Sequence, residues 1–239
     1  MESYRQIEFT VSGSNLCQTN ILDHQHARIR AVVEKLRRPG QSDRSFVQSA
    51  HRYLSLSLKP VYTADEYQPA SETLRKGTGS CSQRMASLEA VSRSYGIGTR
   101  VRGIWVKGRF WYPRFRLSRP FIPDRVLLAW PQFNLEGSWI DFDELYGNAI
   151  DLAARSSNGF SNAGETLFEA VEHTAVDFLG KTRQCGITCS GAKADLSDYV
   201  VKDEGLYNSR DELFKEFGSL QHSLRGRAFE LIYGGRKSI

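Results

Sequence analysis

Lys76-Gly77-Thr78-Gly79-Ser80-Cys81-Ser82-Gln83-Arg84-Met85 is the stretch on which the fold turns. Two glycines loosen a loop that delivers Cys81 to the start of an amphipathic run. Met85, Leu88, Val91 and Tyr95 recur at steps of three or four, the period of a helix with one buried face, and Gly96 offers its stop. Cys81 is therefore expected in the first helical turn. Unpaired backbone N–H groups and the positive end of the helix dipole favour a thiolate there. Arg75, Lys76 and Arg84 lie close in sequence and would strengthen that field.

Upstream, residues 1–12 read as a strand, with alternation over Ile7-Glu8-Phe9-Thr10-Val11. A helix is expected from about Asp23, its N-cap, to Arg38, ending at Pro39-Gly40. His24 and His26 fall at its start as solvated or capping groups. A second helix runs from Ser42 or Asp43 to Leu54 and carries His51, read as a surface or interhelix residue. Residues 54–62 alternate up to Pro60 and either end that helix or form a short extended piece. Residues 64–74 read as loop or short helix with Ser71 as a cap.

Downstream of Gly96 the period changes. Thr99 to Val106 reads as a strand, Lys107-Gly108 as a turn, and Arg109 to Pro113 as a returning strand. A basic loop with Arg114, Arg116, Arg119 and Arg125 follows. A second hairpin joins Val126–Leu135 to Ser138–Asp143 through Glu136-Gly137, with Pro131 demanding an edge or a bulge. A helix followed by an antiparallel meander predicts the α+β class. Helices are expected over Glu165–Leu179, which contains His173, over Asp211–Phe217 and over Leu224–Tyr233, before a mobile basic tail. The loop at 156–164 is the one candidate boundary. A single domain over 1–239 is expected, with a core at about 40–150 and a helical extension at about 151–239 packed on it.

The chain has 239 residues, 40% hydrophobic and 25% charged, enough to build a sizeable core. It has no apolar run long enough to span a membrane and no apolar secretory segment at its N-terminus, so a cytoplasmic location and no membrane partner are expected. Cys17, Cys81, Cys185 and Cys189 are too few for a disulfide framework, and His173 beside Cys185-x-x-x-Cys189 matches no common zinc spacing. Free thiols, no metal and no cofactor are the reading. The net charge of +5 suits acidic partners, while no recognised motif argues for nucleic acid.

The order of glycine-rich loop, helix-start cysteine, hairpin and strand pair ending in Asp143 resembles the transglutaminase-like superfamily, whose fold belongs with the papain-like cysteine enzymes. The residues that carry it are Gly77-x-Gly79-x-Cys81 and Arg100-Val101-Arg102-Gly103. With them goes the block Ala129-Trp130-Pro131-Gln132-Phe133-x-Leu135-x-Gly137-x-Trp139-Ile140-x-Phe142-Asp143. The resemblance spans roughly residues 60–145. It implies a cysteine that attacks an acyl carbon, a histidine that moves the proton, and an aspartate that orients the histidine. Cys81 and Asp143 occupy the first and last of these positions. The histidine's position, immediately before Ala129-Trp130, is held by Leu128.

Three readings stand at this point. Cys81 forms a thiolate unaided and performs acyl transfer or hydrolysis on an activated donor such as a thioester, whose leaving group needs little acid help. Alternatively His51 or His173 supplies the base. Or the domain is a non-catalytic binding or scaffolding module. For the first, Trp130, Trp105 and Arg84 are candidate substrate-binding residues, and the basic loop would suit a carrier-bound acyl group on an acidic acyl carrier protein. The Cys81 N–H would serve the oxyanion, with a second donor sought within Tyr62–Gln68.

Overall fold

Ser80, Cys81 and Gln83 set the centre of the molecule. In a computed structural model describing residues 14–115, 119–155, 159–184, 194–220 and 224–237, the Ser80 hydroxyl accepts from the Gln83 N–H and the Gln83 side chain accepts from the Ser80 N–H. This capping box satisfies two of the donors that a helix start leaves open. The strand expected over 1–12, Arg116, and Cys185 and Cys189 lie outside the described residues.

In chain order the helices are α1 (Ala27–Leu36), α2 (Asp43–Ser57), α3 (Ala70–Lys76), α4 (Cys81–Tyr95), α5 (Ala149–Arg155), α6 (Leu167–Ala170), α7 (Arg210–Phe217) and α8 (Leu224–Tyr233). The strands are β1 (Lys59–Pro60), β2 (Thr78–Gly79), β3 (Thr99–Lys107), β4 (Arg125–Leu135), β5 (Ser138–Asp141) and β6 (Val200–Tyr207). β1 and β2 pair in parallel, and the other four form an antiparallel sheet in the order β5-β4-β3-β6. The class is α+β, a cysteine-headed helix packed on an antiparallel sheet.

α1, α2 and α3 pack around α4, whose other side meets β3 and β4. α4 is consequently enclosed on all sides. Met85, Leu88 and Val91 are buried as the periodicity predicts, but so are Ser87, Glu89, Ser92 and Arg93. Most of their polar atoms are satisfied internally: Arg93 donates to Thr99 and to the carbonyls of Cys17 and Asn208, the two serines bond back to the preceding turn, and Glu89 accepts from Arg210 through Oε1 alone.

Several expectations change. α1 starts at Ala27 with the His26 ring as its cap, accepting from the Arg28 N–H at 3.1 Å. Asp23 instead caps α3 from a distance, accepting from the Ser71 N–H at 3.0 Å. The alternating 54–62 stretch does both things offered for it, ending α2 at Ser57 and then forming β1.

No strand returns over 109–113. Residues 108–111 form a 3-10 turn that drives Phe110 into the core, and β3 pairs instead with β4, from Thr99 with Phe133 to Lys107 with Arg125. The second hairpin forms as read. Glu136 and Gly137 both adopt positive φ, 49° and 84°, the geometry that a two-residue turn of matching twist requires. Pro131 stands one residue beyond the last β4–β5 pair, Gln132 with Asp141, where β4 has become an edge on that side.

The helix expected over 165–179 is a single turn, α6. The Asp177 carboxylate accepts from the N–H groups of Leu179 and Thr182 and from the Thr182 hydroxyl, and these local bonds compete with helix continuation. Ser209 caps α7 through the Glu212 N–H, and α8 forms as expected. The tail is held in place at its start: Gly235 donates to the Tyr62 carbonyl, and Tyr62 donates to that of Arg236.

One glycine positions a whole element. A Cβ on Gly103 would fall 2.6 Å from Leu213 Cδ1, so the bare position lets the Leu213 side chain of α7 seat directly on β3. Its close approach sends Arg210 through to the start of α4.

Candidate active site

Cys81 lines a cleft of about 1060 Å³, open solvent at its mouth included. Ser80, Cys81 and Ser82 contribute the first turn of α4. Leu128, Ala129 and Trp130 form the β4 wall. Tyr62, Thr63 and Glu66 enter from the segment before α3. Asn162, Thr166 and Leu167 come from the chain leading into α6, and Phe229 from α8. The cleft is mostly apolar with a few convergent polar groups, the composition expected of a small-molecule site. In a helix the N–H groups of Cys81 and Ser82 have no intrahelical acceptor, which leaves them to an oxyanion.

The thiol does not behave as its helix position predicted. Burial pushes its pKa up to about 11, with the Glu169 carboxylate adding to the rise, while Arg84, Arg114 and the Phe168 main chain pull the other way and lose. This runs against the expected unaided thiolate: desolvation outweighs the neighbouring cations. Those cations are also engaged elsewhere. Arg75 pairs with Glu72, and Lys76 hydrogen-bonds Gln68.

Arg84 is fully buried behind the cleft. It pairs with Glu169, bonds Thr166 Oγ1 at 3.4 Å and lies 4.5 Å from the Phe168 ring centre, so it supports the wall and does not line the cleft. Trp105 is likewise placed away from the cleft: its indole donates to Glu204 at 2.9 Å and its ring meets Phe217 edge-on. Trp130 is buried and does line the cleft.

Asp143 is buried just after β5. Its Oδ1 accepts from the Trp130 indole at 2.9 Å, and its Oδ2 lies 3.9 Å from the Lys181 ammonium. Lys181 is bound more tightly to Asp141, at 2.7 Å, and Glu144, at 2.9 Å. Burial raises the Asp143 pKa to about 7, the Lys181 charge holding it down and Asp141 pushing it further up. Leu128 lines the same cleft as Cys81 with an aliphatic side chain, and Asp143 does not line it.

No histidine among the described residues lines the cleft. His51 is fully buried, and both ring nitrogens are engaged: Nδ1 with the Tyr146 hydroxyl at 2.9 Å and Nε2 with the Phe168 carbonyl at 2.5 Å. Burial lowers its pKa to about 4. His173 is exposed and paired with Glu165. His222 lies outside the described residues. The reading in which His51 or His173 replaces the family base is therefore overturned.

Glu66 was passed over in the sequence because a single glutamate before a short helix carries no pattern. Its segment is tied to α4: the Gln83 side chain donates to the Asp65 carbonyl at 2.6 Å. Arg210 is buried at the same place. It donates to Glu89 at 2.5 Å, to Ser82 Oγ at 3.0 Å and to the Ala129 carbonyl at 3.0 Å. Arg114, expected on a solvated face, lines the cleft and donates to Asn162 at 2.6 Å and to the Glu165 carbonyl. No group of residues suited to a metal ion occurs among the described residues.

Cys81 stands at the head of a buried helix and faces a cleft walled on one side by the antiparallel sheet. Residues 30–144 match the family model of the transglutaminase-like superfamily, and over that segment the chain is similar to that superfamily. That similarity points to cysteine-based acyl transfer or hydrolysis. Searches of the curated proteins and of the solved structures return no match. No helix among the described residues is long and apolar enough to cross a membrane.

Proposed function

We propose that the cleft carries out cysteine-dependent acyl transfer on an activated, apolar acyl donor, a thioester above all, through an acyl-Cys81 intermediate. The observation that carries this reading is the company Cys81 keeps. A helix-start thiol opens onto a cleft walled by Tyr62, Met85, Trp111, Leu128 and Trp130, which suits a hydrocarbon chain and excludes water from the acyl-enzyme. The free N–H groups of the first turn would stabilise the oxyanion. A thioester fits because its leaving thiol needs less proton help than an amine, and Leu128 can give none. Exposed Arg119 stands in the chain between the cleft-lining residues Phe115 and Ile122 and would favour an acidic acyl carrier protein as the donor's carrier.

The test is an apolar acyl thioester of N-acetylcysteamine followed by intact-mass analysis. An acyl adduct on the wild-type protein and none on Cys81→Ala is the expected result. Absence of the adduct across short and long chains overturns the reading.

A second reading has its own support. Leu128 in the cleft and the raised thiol pKa favour a non-catalytic module that binds an apolar ligand. It predicts saturable ligand binding that survives Cys81→Ala unchanged.

A further inference from the structure

The Cys81 thiol holds its proton at neutral pH, so acylation needs a group that accepts that proton as the sulfur attacks. The family's histidine is replaced by Leu128, and the described histidines are away from the cleft or engaged. Thr63, Tyr62 and Glu66 all line the cleft from the segment before α3, and among the residues that line it Glu66 is the one carboxylic acid.

We infer that Glu66, entering the cleft beside the first turn of α4, serves as the general base and then the general acid for Cys81, in place of the missing histidine. This rests on the acyl-transfer reading above. Three features place it. The Gln83 to Asp65 hydrogen bond, 2.6 Å, fixes the preceding residue against the turn that begins with Cys81. The Ser82 hydroxyl, one residue from the thiol, hydrogen-bonds the Glu66 carboxylate and also accepts from Arg210. Glu230 of α8 anchors the same segment through Thr63 Oγ1 and the Ala64 N–H.

The electrostatics suit the task. Burial raises the Glu66 pKa to about 7, and Asp65 adds to the rise. Arg210, the Leu220 main chain and the Ser82 hydroxyl keep it from going further. The other charged groups around Glu66 and Cys81 are Glu89, which pairs with Arg210, and Arg84, Glu169 and Arg114, which act on the Cys81 thiol; Glu230 of α8 is taken up by Thr63 and Ala64. A carboxyl poised near the working pH can both take and return a proton.

The step balances. Cys81 Sγ bonds to the acyl carbon, its proton passes to the Glu66 carboxylate, and the carbon–sulfur bond of the donor breaks. The departing thiolate takes the proton from Glu66 and leaves as a thiol. In the second half an amine or water attacks the acyl-enzyme, gives its proton to Glu66, and Cys81 leaves and is reprotonated.

The experiment measures the pH dependence of Cys81 acylation by octanoyl-N-acetylcysteamine in wild type, Glu66→Gln and Glu66→Asp, with thermal midpoints recorded for each. For Glu66→Gln the rate at pH 7 is expected to fall by ~100-fold or more, with loss of the rise near pH 7. Glu66→Asp should keep that rise at a lower rate. If Glu66→Gln acylates with the wild-type pH profile, or merely more slowly with the same inflection, Glu66 is not the base and the acyl-transfer reading stands. If wild type forms no adduct, both fall together.

Discussion

The Trp130 indole N–H donates to Oδ1 of Asp143 at 2.9 Å, inside the core. In the family arrangement the aspartate orients a histidine. Here Leu128 lines the cleft, and the carboxyl is held by the indole of the residue two places further along the strand. Burying this carboxyl is costly, which is why its pKa has climbed to about 7 even with the Lys181 ammonium 3.9 Å away.

Asp143→Asn follows directly. The folded carboxyl keeps a proton that the unfolded chain gives up above 3.8. The stability it contributes is therefore fully present below that value and is lost as pH rises through about 7. The amide cannot ionise. Relative to wild type, Asp143→Asn should gain stability between pH 5 and 8, on the order of 1–4 kcal/mol. Urea denaturation at pH 5, 6.5 and 8 measures it, and a difference that does not change with pH would refute the shift.

Thiol labelling separates the helix dipole from burial. Iodoacetamide should modify Cys81 more slowly than exposed Cys17 at pH 7, by roughly tenfold or more, with a rate still rising toward pH 11. Peptide mass analysis resolves the two sites. Faster labelling of Cys81 at neutral pH would mean that the dipole prevails after all.

Leu128→His tests whether the ancestral geometry persists. The new imidazole would enter the cleft on the wall opposite the first turn of α4. Labelling of Cys81 at pH 7 should accelerate by about tenfold, and a p-nitrophenyl ester should be hydrolysed in a Cys81-dependent manner. An unchanged labelling rate would show that β4 no longer aims position 128 at the thiol.

Arg210 and Glu89 form a fully buried pair at 2.5 Å. Removing the cation alone, in Arg210→Met, should cost about 3–5 kcal/mol because the Glu89 carboxylate is left without compensation. The double variant Arg210→Met with Glu89→Gln should recover most of that loss. Chemical denaturation of the two variants and wild type gives the comparison, and additive losses would contradict the coupling.

Local sequence signals determined a good deal of this molecule. The capped helix from Cys81 to Gly96, the Glu136-Gly137 hairpin and the Ser209 cap of α7 all rest on bonds and turn geometries made within a few residues. The family likewise was legible in the glycine–cysteine loop and the Trp130–Asp143 block. Long-range pairing decided the rest. Nothing near Lys107 announces that its partner is Arg125, because Gly108 and Phe110 draw the intervening chain into a core turn that local alternation mimics as a strand.

The 165–179 apolar face is genuine, but its residues are buried by an irregular path that Asp177 stabilises. The chemistry divides in the same way. Cys81 at a helix start is a sequence fact. The raised pKa of its thiol, and the presence of Glu66 in the same cleft, depend on residues distant in the chain, and only the folded structure supplies that burial.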